Sequence, residues 1–352
     1  MSARSLDRHV YLRSHPLLFG LISATRPLGA VWLGRTLVVH DAEAYREILT
    51  NVPLDREAEG TTGGAARQLG GGGMLFDQAG DEHREARRSL GADLGADGVS
   101  RLRPVWQEVI ERGLRGGPGP VDLVPLAKEI AGSTACALTG CAADPLVLAE
   151  AAVAAASEAA HEHLPGSRRR RRAAVRAQRA ADVLSALLPG PLDAMLAVAA
   201  VNTTLTALPR AAAWCARAEL WDQISPELTT ELLRVTAPTP ILPRVAAAGA
   251  VIRLGDKRFR IHPGDRLILV ARHAAESHRD TARHERTAAQ AVFGAGPHAC
   301  PGANLARAQL TDFLTALAPH RPEVRKAVAA RATALPSYAK LVVAGGSVRT
   351  CA

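Results

Sequence analysis

The chain has 352 residues, 47% of them hydrophobic and 22% charged, a balance that excludes a disordered chain and supplies enough apolar surface for a large core. Aromatic residues make up only 3%, so the core must be built from Leu, Ala and Val, which favours a mainly α fold. The formal charge is +9, from 43 Lys and Arg against 34 Asp and Glu; these arginines are spread from Arg4 to Arg349 and few rings exist to stack on bases, which argues against nucleic acid.

In chain order, AVWLGRTLVVH at residues 30 to 40 has two β-rich arms around Gly34 and Arg35 and predicts a hairpin. DAEAYREIL then predicts a helix capped by Asp41. Glycines 60, 63, 64 and 70 to 73 predict a mobile segment suited to movement over a pocket. DEHREARRSL and long Ala- and Leu-rich stretches predict helices to about Leu188. The run Arg168 to Arg172 reads as a solvated helix start or loop able to dock an acidic partner. Leu192 to Leu208 contains Asp193 and Asn202 and is short for a span, so it predicts a buried helix, ending or bending at Pro209, and no membrane segment. VIRLGDKRFRIHPGD and RLILVAR predict strands, and Ala306, Leu310, Phe313, Leu314 and Leu317 recur as one face of a helix. No linker or fixed repeat divides the chain, so one domain over 1–352 is expected. Cys136, Cys141, Cys215, Cys300 and Cys351 form no CxxC pair, and no signal peptide opens the chain, which together predict a reducing cytoplasm.

Residues 293 to 302, FGAGPHACPG, set Cys300 behind a glycine-dense loop and ahead of the amphipathic helix. A thiol is usually inert packing. Here a helix start offers free N–H groups and partial positive charge to a thiolate, and Pro301 suits a first helical turn. Gly294, Gly296 and Gly302 allow close backbone approach to a flat ligand. With one cysteine in the loop, a zinc or iron–sulfur site would need ligands from elsewhere, and none are grouped; a single thiolate on an otherwise complete cofactor points to haem.

FGAGPHACPGANLAR closely resembles the haem-binding signature of the cytochrome P450 superfamily, beginning at Phe293 and Gly294, in which the cysteine is the iron ligand. Three further stretches resemble the family in order and spacing. ELLR, with Glu231 and Arg234, is similar to its Glu-x-x-Arg pair. PTPILPR places Arg244 where the family has an arginine that completes that network or reaches a haem propionate. DEHREARR offers His83 and Arg87, like the histidine and arginine that clamp a propionate. The resemblance implies a mainly α fold with small β-sheets, haem b held between a central helix and the Cys300 helix, and His83, Arg87, Arg244 and His298 as donors to its carboxylates. It also implies a small organic substrate, free or carrier-bound, a ferredoxin-type electron donor and a monomer.

In LAVAAVNTTLTALP, Thr203 stands at the family's proton-delivery threonine, but Asn202 replaces the usual acid and Ala200 the usual glycine. Asn202 can hold a water and cannot carry a proton. The chain also reads as shortened at about 160–190, leaving too little for a full helix pair over the substrate pocket, and at about 273–292, before the Cys loop. Three readings stay open: a haem-thiolate monooxygenase acting on a specialised-metabolite intermediate, a haem-thiolate enzyme with a non-hydroxylating reaction, and a haem-free accessory protein on this fold.

Overall fold

The structure, a computed structural model, describes residues 1–70, 72–73, 75–117, 119–162, 167–277 and 291–345. α1 (Ala3–Ser14) and α2 (Pro16–Thr25) precede β1 (Ala30–Leu33) and β2 (Thr36–Val39), the expected hairpin, with Ala30 opposite Val39 and Gly34 at φ +62°. α3 (Ala42–Asn51) is capped by Asp41, whose carboxylate accepts the N–H groups of Glu43 and Ala44, both at 2.9 Å.

After β3 (Leu54–Asp55) the glycine-rich segment departs from expectation, because Thr62–Gly70 is a helix, α4. Thr61 starts it by accepting the Gly64 N–H at 3.0 Å. The glycines serve close packing here: a Cβ on Gly63 would lie 1.9 Å from the Arg56 carbonyl oxygen, and one on Gly64 2.2 Å from that of Ala58.

Helices then dominate: α5 (Gly80–Leu94), α6 (Ala96–Leu114), α7 (Leu123–Thr139) behind the short strand β4 (Val121–Asp122), α8 (Pro145–Glu162) and α9 (Ser167–Ser185). α8 and α9 pack on each other, and the arginine run opens α9; the side chains of Arg168 to Arg171 lie outside the described residues. α10 (Pro191–Ala218) is the central helix, and it does not stop at Pro209. Leu208, Pro209, Arg210 and Ala211 are all buried, and packing plus the anchoring of Arg210 offset the roughly 3 kcal/mol that an interior proline costs. α10 is also the one described helix long and apolar enough to cross a membrane. It packs against α1, α7, α8 and α4, which makes it a core helix.

α11 (Pro226–Thr236) is capped by Ser225 and leads through β5 (Leu242–Ala246), the hairpin of β6 (Ala250–Leu254) and β7 (Lys257–Ile261), and β8 (Arg266–Leu269) to α12 (Ala271–Ser277). The stretch 278–290, where the sequence reads as abbreviated, lies outside the described residues. α13 (Ala303–Leu317) follows the Cys loop, with Leu310, Phe313, Leu314 and Leu317 on its buried face, and β9 (Pro322–Ala329) and β10 (Tyr338–Gly345) end the described chain. The N-terminal hairpin is part of a five-stranded sheet in the order β1-β2-β8-β5-β3, and β4-β10-β9 form a second sheet. Asp312 locks α13 to α6: Arg103 grips its carboxylate at 2.6 and 2.8 Å, and the Trp106 indole donates to it at 2.9 Å.

Where the five-stranded sheet meets α12, His40 and His273 are both buried, with their Nδ1 atoms 2.9 Å apart and His40 Nε2 3.0 Å from Thr25 Oγ1. Burial first, and Arg26 second, push His40 down to about 4 and His273 down to about 3. In the unfolded chain both protonate near 6.5, so below that pH the unfolded state binds more protons. Stability is therefore full above about pH 6.5 and falls toward pH 4 to 3, with a slope of up to about 1.4 kcal/mol per pH unit for each histidine. Denaturant unfolding between about pH 7 and pH 5 reads this slope, and His40→Asn should flatten it.

Candidate functional site

One cavity of about 310 Å3 gathers the residues that the motifs single out: His83, Arg87, Thr203, Arg244, Phe293, Gly294, His298 and Cys300 all line it. Cys300 is exposed to it from the loop ahead of α13. The loop is held by backbone bonds, Cys300 N–H to the Phe293 carbonyl at 2.7 Å and Ala299 N–H to the Gly296 carbonyl at 3.1 Å. Gly294 and Gly296 take φ of +76° and +73°, a region that favours glycine. The helix begins at Ala303, two residues later than Pro301 as the first-turn residue would require. Burial pushes the Cys300 thiol up, and the Gly302 N–H, Arg87 and Arg307 pull it back toward the thiolate. Arg307 also stacks over the Phe293 ring at 4.7 Å.

His83 comes from α5 and His298 from the Cys loop, and their rings stack 3.9 Å apart. Burial, then Arg56, His83, Arg244 and Arg87, push His298 down to about 3; burial and then Arg87 also lower His83. Arg244 projects from β5, donates from Nη1 to the Pro243 carbonyl at 2.8 Å, and buries an Nε that has no partner. Among the described residues no salt bridge involves Arg56, Arg87 or Arg244. Buried cations without counter-charge are costly. A group bearing two carboxylates and a flat face satisfies the orphaned Arg244 Nε, the uncompensated guanidinium charge and the glycine loop together, so the residues fit haem.

Arg56 is the cavity cation that no sequence motif marked. Glu231 and Arg234 do pair, with Arg234 Nε 2.7 Å from Glu231, but outside the cavity. Arg234 Nη1 donates at 2.7 Å to the Ala275 carbonyl and so ties α11 to α12. Of the two roles open to Arg244, its place is in the cavity, and none of its hydrogen bonds reaches Glu231 or Arg234.

The two α10 residues separate. Thr203 lines the cavity beside Ala200, with its hydroxyl donating to the Ala199 carbonyl at 2.8 Å, which leaves its oxygen able to accept a bond from the cavity. Asn202 does not line it. Its amide donates at 3.2 Å to the Ala152 carbonyl of α8 and at 2.8 Å to the Val198 carbonyl. The expected Asn202–Thr203 pair therefore does not face one space, because the Asn202 amide is turned to α8 and to its own helix backbone. Asn202→Asp would set a carboxylate against two carbonyl oxygens; we expect a loss of about 1–3 kcal/mol in urea unfolding and no gain in turnover. Unchanged stability with faster turnover would show that this side chain reaches the cavity.

The rest of the wall is mostly aliphatic, with Leu75, Leu196, Leu208, Leu233 and Leu242. No described residue of α8 or α9 lines it. A second polar group, Gln309 of α13, is buried at the cavity edge; it accepts from Thr204 at 3.4 Å and donates to Thr134 at 2.8 Å, joining α7, α10 and α13.

No protein-family model matches the sequence, and no curated protein sequence matches it. Solved structures do match. P450BioI, in complex with an acyl carrier protein ligated to hexadec-9Z-enoic acid, is 17% identical with a TM-score of 0.73 over 93% of this chain and 98% of its own. A mutant of P450 EryK in complex with erythromycin B is 18% identical, with a TM-score of 0.71 over 96% and 98%. CYP175A1 from Thermus thermophilus is 20% identical, with a TM-score of 0.69 over 95% and 96%. The chain thus has the cytochrome P450 fold over nearly its whole length, mainly helical with small sheets, as the resemblance implied.

Proposed function

We propose that the protein is a haem-thiolate oxidoreductase of the monooxygenase type. The observation that carries this reading is the shared cavity, in which an accessible cysteine, a cluster of uncompensated cations and a threonine hydroxyl on the central helix meet within a P450 fold.

Cys300 would hold the iron of haem b, with the Gly302 N–H and the nearby Arg87 and Arg307 charges favouring its thiolate. Haem ligated by thiolate supplies oxygen chemistry in which electron donation from sulfur favours O–O cleavage. His83, Arg244 and His298 would receive the carboxylates, and Phe293 and Gly294 would form the loop surface beneath the flat group. Thr203 Oγ1, with its hydrogen committed to the Ala199 carbonyl, accepts a hydrogen bond from a water in the cavity and so fixes where a proton is delivered. Asn202 takes no part in that delivery, since its amide is spent on α8. Ala200 adds little bulk beside Thr203, and the aliphatic wall excludes bulk water and selects an apolar substrate.

The substrate is a small organic molecule, free or carried on a partner protein. Among the neighbours, P450BioI was solved with an acyl-loaded carrier protein and the EryK mutant with erythromycin B. The net charge of +9 suits an acidic electron donor of the ferredoxin type. Haem content tests the reading first. Protein purified from haem-replete cells should yield one b-type haem per chain in the pyridine haemochromogen assay, and protein that is colourless and takes up no added haem would leave only the accessory-protein reading.

A further inference from the structure

The end of α7 carries two thiols that the cavity does not use. Gly140 closes the helix in the left-handed region, φ +66°, with its N–H bonded to the Cys136 carbonyl. The next N–H, that of Cys141, returns to the same carbonyl at 3.0 Å. Helix ends closed in this way bring the side chains of the accepting and the returning residue together, and here both are cysteine. The 3.0 Å bond between Cys141 N and Cys136 O caps the separation of their Cα atoms at about 7 Å, and disulfides span about 4.4–6.8 Å.

The sulfurs also converge on one residue. Cys141 Sγ accepts the Ala143 N–H at 3.4 Å, Cys136 Sγ lies 3.6 Å from the Ala143 carbonyl oxygen, and the two thiols are within hydrogen-bonding reach of each other. They differ in access, since Cys136 is buried and Cys141 half-buried. Burial first, then Cys141 and Asp144, push the Cys136 thiol up to about 12. The more accessible Cys141 is therefore the sulfur that meets a reagent from solvent, and Cys136 waits beside it. Cys141 Sγ also donates at 3.0 Å to the Leu187 carbonyl, in the turn between α9 and α10.

We propose that Cys136 and Cys141 form an oxidisable dithiol, closed to a disulfide by hydrogen peroxide and reopened by thiols. Cys141 attacks the peroxide: an S–O bond forms, the O–O bond breaks, and the departing hydroxyl leaves as water with the Cys141 proton. Cys136 then attacks the resulting sulfenic sulfur: the S–S bond forms, the S–O bond breaks, and the hydroxyl leaves as a second water with the Cys136 proton. Two thiols are oxidised and one peroxide is reduced by two electrons. In a reducing compartment such a bond is transient, which suits a sensor of oxidant. Closure also removes the hydrogen that Cys141 gives to Leu187, so oxidation frees the turn ahead of α10 while it locks the end of α7. The pair is separate from Cys300, and the proposal does not depend on the haem-thiolate reading above.

Peptide mapping tests it, because trypsin leaves both cysteines on one peptide, residues 129–168, that holds no other cysteine. Full-length protein as purified is treated with hydrogen peroxide, quenched with catalase and alkylated with N-ethylmaleimide in denaturant. The peptide should lose both alkylation sites, weigh two hydrogens less than its reduced form, and regain both sites after dithiothreitol. In Cys136→Ser, Cys141 should stop at the sulfenic acid and take up dimedone, which the wild type should not. Alkylation of both cysteines after peroxide, a dimedone adduct on Cys141 of the wild type, or a crosslink from either cysteine to Cys215 would each overturn the proposal.

Discussion

Asp7→Ala is expected to destabilise the protein by about 3–5 kcal/mol. Asp7 sits on α1 with 3% exposure, between Arg210 of α10 at 1% and Arg272 of α12 at 4%. One carboxylate serves both guanidiniums, Arg210 Nη2 at 2.7 Å and Arg272 Nη2 at 2.7 Å. Arg210 also donates to the Thr236 and Pro336 carbonyls, and Arg272 lies over the Tyr11 ring at 4.8 Å. Glu276 approaches Arg272 only at 3.6 Å and is engaged by Arg26 as well. Removing Asp7 leaves two positive charges in a buried site, and the desolvation already incurred is no longer offset. A loss of this size is a large part of the 5–15 kcal/mol that typically holds a domain. Urea unfolding of apoprotein measures it. Asp7→Asn should fall between, since the amide oxygen still accepts a bond while the charge is gone. A cost under about 1 kcal/mol for Asp7→Ala would show that water enters the cluster and that it does not anchor α10 beyond Pro209.

Cys300→Ala is expected to abolish turnover and every thiolate feature of the spectrum while leaving the fold intact. The side chain is exposed to the cavity, so stability of the apoprotein should change by less than about 0.5 kcal/mol. The loop geometry belongs to the Phe293–Cys300 and Gly296–Ala299 backbone bonds, which alanine keeps. Haem held by the cation cluster should still be taken up, more weakly, and its spectrum should lose the sulfur signature. Retention of that signature in Cys300→Ala would mean that another cysteine ligates the iron; among the described residues Cys136, Cys141 and Cys215 are the remaining thiols, and none lines the cavity.

Features whose cause is local were legible in the sequence. The β1–β2 hairpin turns on Gly34, α3 starts on Asp41, Glu231 and Arg234 lie one helical turn apart, and the Cys loop is coded within ten residues. Features decided by distant partners were not. Glycines 63 and 64, whose company suggests mobility, lie in α4, where the carbonyls of Arg56 and Ala58 leave no room for a Cβ. Pro209 stays inside α10 because Arg210 is tied to Asp7, some two hundred positions away. Adjacency in the sequence suggests a joint role for Asn202 and Thr203, but α8 claims the Asn202 amide while Thr203 and Thr204 line the cavity. Arg56 belongs to no recognisable pattern, and only the folded chain brings it beside Arg244 and His298.

The central claim is that Cys300 is a haem-iron ligand in this P450 fold, and the reduced carbon monoxide spectrum of the wild-type protein tests it most directly. The account predicts the red-shifted Soret band of a thiolate complex in the wild type and its absence in Cys300→Ala. A reduced carbon monoxide complex of histidine-ligated type in the wild type, or no complex from haem-loaded protein, would contradict it.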